Sequence, residues 1–72
     1  MENKIEIIIG SPVDYEELVA YIRIDGKLIG LLNQDNGRDK LKIEFFDDPQ
    51  IKEIGFDIFI EALYKAKKEL LL

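Results

Sequence analysis

Two apolar stretches, LVAYIRI and KLIGLL, flank the dipeptide Asp25-Gly26. An Asp-Gly pair between two apolar stretches is the strongest short-range signal of a two-residue β-hairpin turn. Both residues tolerate the positive φ angles that a type I′ turn requires, and glycine does so without steric cost. The sequence therefore predicts a hairpin over residues 18–32, around which the rest of the chain is arranged.

Two further segments have the alternating pattern of strands that bury one face. Residues 4–9, KIEIII, are followed by Gly10-Ser11-Pro12, which ends a strand because proline cannot donate to the ladder. Residues 41–46, LKIEFF, follow a polar stretch around Asn36-Gly37 that predicts a second, longer turn. Together with the hairpin, these segments predict four strands.

The apolar period becomes helical from Phe56 to Leu70, and we expect Ile58 and Leu72 to point away from the buried stripe. Asp48-Pro49 has the pattern of a helix start, with aspartate as the N-cap and proline at the first helical position. The predicted buried stripe consists of Phe56, Phe59, Ile60, Leu63, Ala66 and Leu70.

These elements predict an α+β fold: a four-stranded antiparallel sheet of order β-β-β-β-α, with one C-terminal helix packed on one face. We expect residues 1–72 to form a single domain. Strands two, three and four are predicted to form a meander. The pattern leaves open whether the first strand pairs with the second strand or with the fourth.

The predicted turn also fixes a hairpin register, in which Ile22 faces Ile29 and Tyr21 faces Gly30. An aromatic ring opposite a strand glycine would cover it. In this register the core face holds Leu18, Ala20, Ile22, Ile24, Ile29 and Leu31. The opposite face holds Val19, Tyr21, Arg23, Leu28, Gly30 and Leu32.

The face without the helix is too apolar for a sheet surface exposed to water. One interpretation is an intermolecular interface; the other is that the N-terminal strand or residues 11–17 fold over this face. Tyr21 and Arg23 are the residue types most often found at binding hot spots. The predicted contact set is Val19, Tyr21, Arg23, Leu28, Leu32 and Phe46.

Composition excludes several chemistries. The chain has no cysteine and no histidine, which removes zinc fingers, disulfide scaffolds, thiol nucleophiles and histidine-based catalysis. Its 15 acidic and 10 basic residues give a net charge of −5, which argues against direct nucleic-acid binding. No apolar run approaches the length of a membrane span, so we expect a cytoplasmic protein without membrane contact.

Candidate catalytic and metal-binding groups are weak. Ser11 is the only serine or threonine and precedes proline in a strand-ending loop, and no carboxylate pair has an evident substrate cleft. Asn33, Asp35, Asp39 and Glu44 loosely resemble ligands of a calcium loop, but Arg38 stands where the required glycine belongs. We therefore predict no enzyme activity and no cofactor, and an ion or small-molecule site in this loop remains a distant alternative.

The segments ELVAYIRIDGKLIGLLNQDNG, LKIEFF and FIEALYKAKKELL, in this order, resemble small acidic bacterial proteins of unassigned function. The layout is also similar to some immunity proteins of bacterial polymorphic toxin systems. The resemblance implies the fold, a bacterial, phage or mobile-element context, and a role in binding and inhibiting another protein. The leading hypothesis is thus a non-enzymatic interaction module. The alternative is a self-associating structural homodimer that uses the same face.

Overall fold

The computed structural model describes residues 4–47 and 52–72. The strands form one antiparallel meander of order β1-β2-β3-β4, and the helix follows them, so the predicted α+β fold is confirmed. The first strand pairs with the second. The predicted helix start at Asp48-Pro49 lies outside the described residues. The elements are β1 (Ile5–Gly10), β2 (Val19–Ile24), β3 (Lys27–Asn33), β4 (Lys42–Phe45) and α1 (Phe56–Leu70).

The β2–β3 turn has the predicted conformation, with φ of 53° at Asp25 and 82° at Gly26. Asp25 also extends the ladder between β1 and β2. Its backbone N–H donates to the Lys4 carbonyl at 2.8 Å, and its Oδ1 accepts from the Lys4 N–H at 2.8 Å. The turn therefore fixes the hairpin and the beginning of β1 together.

The predicted hairpin register is correct only next to the turn, where Ile24 pairs with Lys27 and Arg23 with Leu28. Beyond Arg23 the register shifts, because Ile22 pairs with Gly30 and Ile29 is an extra residue in β3. Such a β-bulge places two residues of one strand opposite one of the other and reverses the faces that follow.

The bulge corrects the predicted faces of β3. Leu31 lies on the face away from the helix, opposite Tyr21, whereas Leu32 belongs to the core cluster beneath the helix. The predicted pair of Tyr21 and Gly30 is therefore wrong. The Tyr21 ring covers Gly10 instead, since its Cε2 atom would lie 2.9 Å from a Cβ added at Gly10.

Gly30 has a different structural role, which is the close approach of β3 and β4. A Cβ at Gly30 would run into the Glu44 carbonyl oxygen and would lie 3.2 Å from the Phe45 Cα. Both obstacles are backbone atoms of β4, so no side-chain rotation can relieve them. The ladder between these strands requires glycine here.

The helix packs on the sheet through small residues. Ala62 and Ala66 have no exposed area, and Leu70 is 6% exposed. Their spacing of four residues allows a close approach of the helix to the sheet. The predicted stripe is wrong at Phe56, which is 77% exposed, and at Ile60, which is 37% exposed and outside the core cluster. It is also wrong at Ile58, which packs against that cluster.

Helix α1 lies mainly over β1 and β2. Lys65 Nζ donates to the Ile5 carbonyl at 3.3 Å, and Arg38 Nη2 donates to the Leu71 carbonyl at 2.8 Å at the other side of the helix. Because the helix is displaced towards β1, an open groove of about 420 Å³ remains between it and β3–β4. Its apolar lining is formed by Leu32, Leu41, Ile43, Ile60, Leu63 and Tyr64.

Candidate interaction surface

The face of the sheet opposite the helix is called the outer face here. Ile8 pairs with Tyr21 on this face, and Arg23 pairs with Leu28. Phe46 continues β4, its N–H donating to the Ile29 carbonyl at 2.9 Å. The rings of Tyr21 and Phe46 stack with centroids 6.3 Å apart and an interplanar angle of 19°. We call Ile8, Tyr21, Arg23, Leu28 and Phe46 the outer patch.

The outer patch is accessible and held by regular structure. Ile8 is 39% exposed, and Leu28 and Phe46 are each 38% exposed, while Tyr21 and Arg23 are half-buried. Tyr21 is held between Gly10 on one side and the Phe46 ring on the other. The patch is therefore a contiguous apolar surface whose central aromatic side chain is already ordered.

The other half of the outer face is covered from within the chain. Val19 has no exposed area and Leu31 is 4% exposed, although neither belongs to the core cluster beneath the helix. The Tyr15 hydroxyl donates to Glu44 Oε2 at 2.6 Å. Since Tyr15 belongs to the β1–β2 connection and Glu44 to β4, the ring crosses the face where Val19 and Leu31 are buried. Part of the predicted intramolecular cover is thus present.

Polar side chains of the β3–β4 connection hold the covering segment in place. Asp35 accepts from the backbone N–H groups of Glu16 and Glu17, at 3.4 and 3.1 Å. Gln34 Nε2 donates to the Leu18 carbonyl at 3.1 Å. These bonds satisfy backbone groups of a segment without regular structure, and they fix its position over the sheet.

Glu44, itself exposed, is the centre of a small network beside this cover. Its Oε2 accepts from Asn33 Nδ2 at 2.6 Å as well as from Tyr15, and Asn33 is only 6% exposed. The pKa of Tyr15 is raised to about 12, first because its hydroxyl donates to the Glu44 carboxylate and then through desolvation and nearby carboxylates. At neutral pH the hydroxyl is a fixed donor with a structural role.

Four members of the predicted contact set lie in the outer patch: Tyr21, Arg23, Leu28 and Phe46. The prediction is wrong at two positions. Val19 lies on the outer face but is fully covered, and Leu32 lies on the helix face because of the bulge. Ile8 pairs with Tyr21 on the outer face, and its exposure of 39% adds it to the patch.

Three of the residues that loosely resemble calcium-loop ligands have other partners. Asp35 accepts backbone N–H groups, and Asn33 and Glu44 bond to each other. In residues 4–47 and 52–72, no three or more histidine, cysteine, aspartate or glutamate side chains form a group that could hold a metal ion. No helix in these ranges is long and apolar enough to cross a membrane.

More acidic than basic residues lie around the outer face, on which Lys42 is also exposed. Glu6 lies on the outer face opposite Arg23, and Asp47 follows Phe46 directly. The covering segment adds Asp14, Glu16 and Glu17, all exposed. With a net charge of −5, the chain presents an apolar centre with a predominantly negative rim.

No family model matches the chain, and no curated protein or solved structure shows significant similarity to it. The function is therefore argued from the surface itself: its exposed side chains, its ordered aromatic pair and its charge.

Proposed function

We propose that this protein is a non-enzymatic interaction module that binds a basic surface of another protein through the outer patch. The observation that carries the proposal is the stack of half-buried Tyr21 on exposed Phe46, flanked by exposed Ile8 and Leu28. Contiguous apolar patches on small proteins mark interaction sites more often than scattered apolar residues do. The proposed site of action is the cytoplasm.

Burial of the patch supplies part of the free energy that a specific complex needs. At about 25 cal/mol per Å² of apolar area, covering its four apolar side chains contributes on the order of 5 kcal/mol before the costs of association. Tyr21 and Arg23 are of the residue types that dominate binding energy at interfaces. Because Tyr21 is already held by Gly10 and Phe46, little of its side-chain entropy is left to lose.

Charge favours a foreign partner over a second copy on this face. Two copies meeting through their outer patches would place their acidic rims, with Glu6 and Asp47, face to face. Like charges placed opposite each other oppose association, whereas a basic surface would gain from the same rim and associate faster. The homodimer through the outer face is therefore the weaker candidate.

The proposed consequence of binding is inhibition of the partner, which is the role expected from the layout of the sequence. A rigid sheet face can occlude a basic functional surface without any chemistry of its own. This role requires only shape, apolar contact and negative charge, all of which the outer face offers.

Site-specific photocrosslinking tests the proposal. A benzoylphenylalanine side chain replaces Leu28 in the patch or, as a matched control, Tyr64, which is 69% exposed on α1. In cells of the source organism, position 28 should capture a protein that position 64 does not. The captured protein, once purified, should bind the unmodified chain with an affinity that falls as salt concentration rises. Crosslinking from position 28 only to a second copy of the chain contradicts the proposal.

A further inference from the structure

β1 is an edge strand of the sheet. The turn determines which of its backbone N–H and C=O groups pair with β2 and which point away from it. The Asp25 N–H donates to the Lys4 carbonyl, so Ile5 and Ile24 form a non-hydrogen-bonded pair. By the alternation of an antiparallel ladder, Ile5, Ile7 and Ile9 direct their N–H and C=O groups away from β2. These groups form a free edge along a strand of six residues.

Part of this edge is occupied and part is open. Lys65 Nζ donates to the Ile5 carbonyl at 3.3 Å. The backbone groups of Ile7 and Ile9 have no backbone partner among the residues that the structure describes. Ile9 is 41% exposed and Ile8 is 39% exposed, so water-accessible apolar side chains lie beside the open groups.

Apart from Lys65 at the Ile5 carbonyl, the features that usually protect an edge strand are missing from the described part of the β1 edge. Its sequence, IEIIIG, contains no proline and no lysine, and its pairing with β2 shows no bulge. Its one charged residue, Glu6, lies on the outer face and not along the edge. A straight, apolar edge of this kind is a template for pairing with another strand.

We propose that two copies of this chain pair through β1, antiparallel and about a two-fold axis at Ile8. Ile7 of each copy exchanges backbone hydrogen bonds with Ile9 of the other, and the two Ile8 side chains face each other on the outer face. The two sheets then form one continuous sheet. A second copy fits because the two-fold axis places the open N–H and C=O groups of Ile7 opposite those of Ile9.

The position of the two-fold axis at Ile8 follows from the residues along the edge. An axis at Ile7 would oppose Ile8 with Glu6 of the second copy and would require the Ile5 carbonyl, which Lys65 already binds. With the axis at Ile8, Glu6 lies opposite Gly10 of the second copy, so no like charges meet where the two β1 strands pair. Apolar side chains then face apolar side chains on both faces of the sheet.

The small contact area predicts that this dimer is weak. Pairing of two short strands with few flanking side chains buries less than the roughly 1,200–2,000 Å² of stable interfaces, so we expect dissociation constants of about micromolar or weaker. The pairing does not rest on the proposed function. If both hold, the dimer presents two outer patches on one surface and can bind a partner bivalently.

Single cysteine substitutions test the pairing of the two β1 strands without background crosslinking, because the chain contains no cysteine. In the proposed dimer the two residues at position 8 form a non-hydrogen-bonded pair with Cα atoms about 4.5 Å apart, within the range of a disulfide. Mild oxidation of Ile8→Cys should give a reducible dimer. Glu6→Cys, on the same face of the same strand, should remain monomeric because its counterpart lies opposite position 10. Equal crosslinking of both variants, or none at position 8, overturns the proposal.

Sedimentation velocity of the unmodified chain gives the second test. We expect reversible dimerisation at concentrations up to about 1 mM, abolished by Ile9→Pro, which removes a donor on the free edge but none that pairs with β2. Leu28→Glu should leave this dimer intact. A strict monomer overturns the proposal, and so does a dimer that Leu28→Glu dissolves; the latter also contradicts the proposed foreign partner. The cysteine result stands whether or not the proline variant folds.

Discussion

Tyr15 and Glu44, 29 residues apart, are joined by a 2.6 Å hydrogen bond across the outer face of the sheet. This bond ties the β1–β2 connection to β4 and divides the outer face into two halves. Beneath it, Val19 and Leu31 are buried. Beyond it, the outer patch stays accessible.

The same bond makes stability depend on alkaline pH. The folded chain holds the Tyr15 proton with a pKa of about 12, above the ordinary value of 10.0. The unfolded chain therefore loses this proton first, and the bond's contribution, complete below pH 10, is lost as pH rises from about 10 to 12. Urea unfolding across this range should show a fall in stability that Tyr15→Phe lacks.

The matched variant for this prediction is Glu44→Gln. An amide oxygen still accepts the hydroxyl but carries no charge, so the pKa of Tyr15 should move back towards its ordinary value. The tyrosinate absorbance of Tyr15, obtained as the difference between the parent chain and Tyr15→Phe, measures it. Identical alkaline unfolding profiles of the parent chain and Tyr15→Phe would show that the bond contributes nothing.

Gly30 and Gly10 should respond very differently to alanine. Gly30→Ala forces a methyl group into the Glu44 carbonyl, so β4 must move; we expect a loss of about 3 kcal/mol or more in unfolding free energy. Gly10→Ala meets only the edge of the Tyr21 ring, which can rotate, and should cost about 1 kcal/mol or less. Chemical denaturation of the two variants compares them, and equal losses would refute the close approach at Gly30.

Asp25 should tolerate asparagine but not alanine. Asparagine keeps an oxygen for the Lys4 N–H and accepts the positive φ, so Asp25→Asn should change stability by less than about 0.5 kcal/mol. Asp25→Ala loses the acceptor and strains the turn, for a loss of about 1–2 kcal/mol. Thermal unfolding measures both. A neutral alanine variant would show that the side-chain bond to Lys4 is not needed.

The parts of the fold predicted from sequence are those set by local patterns. The Asp25-Gly26 turn depends on two adjacent residues, and the helix bounds of Phe56–Leu70 follow from its own periodicity. Each strand is likewise marked by its alternation. These features need no knowledge of distant contacts, which is why the pattern was sufficient for the fold class.

The register of β3 could not be predicted from a local pattern, because it depends on contacts with residues distant in the sequence. Ile29 is the extra residue at the bulge, and Gly30 must sit against the backbone of β4, but neither requirement is visible in the KLIGLL alternation. A shift of one residue reverses every side chain that follows. For that reason Leu32 was predicted on the wrong face while Leu28, before the bulge, was predicted correctly.

The extent of the outer patch was equally beyond a local pattern. Val19 is in the predicted alternation, yet it is fully buried on the face of the sheet that the Tyr15–Glu44 hydrogen bond crosses. Nothing in the spacing of residues 11–18 marks that contact. What the pattern did indicate correctly is an apolar outer face, part of which remains open around Tyr21 and Phe46.

The central claim is that the open half of the outer face binds a basic partner. Isothermal titration calorimetry tests it most directly. The partner identified by crosslinking is purified and titrated with three chains: the parent, Leu28→Glu and Tyr64→Glu. Both variants add the same charge at an exposed position, one in the patch and one on the helix. We predict about tenfold or greater weakening for Leu28→Glu and no change for Tyr64→Glu. Equal affinities for Leu28→Glu and the parent chain would contradict the claim.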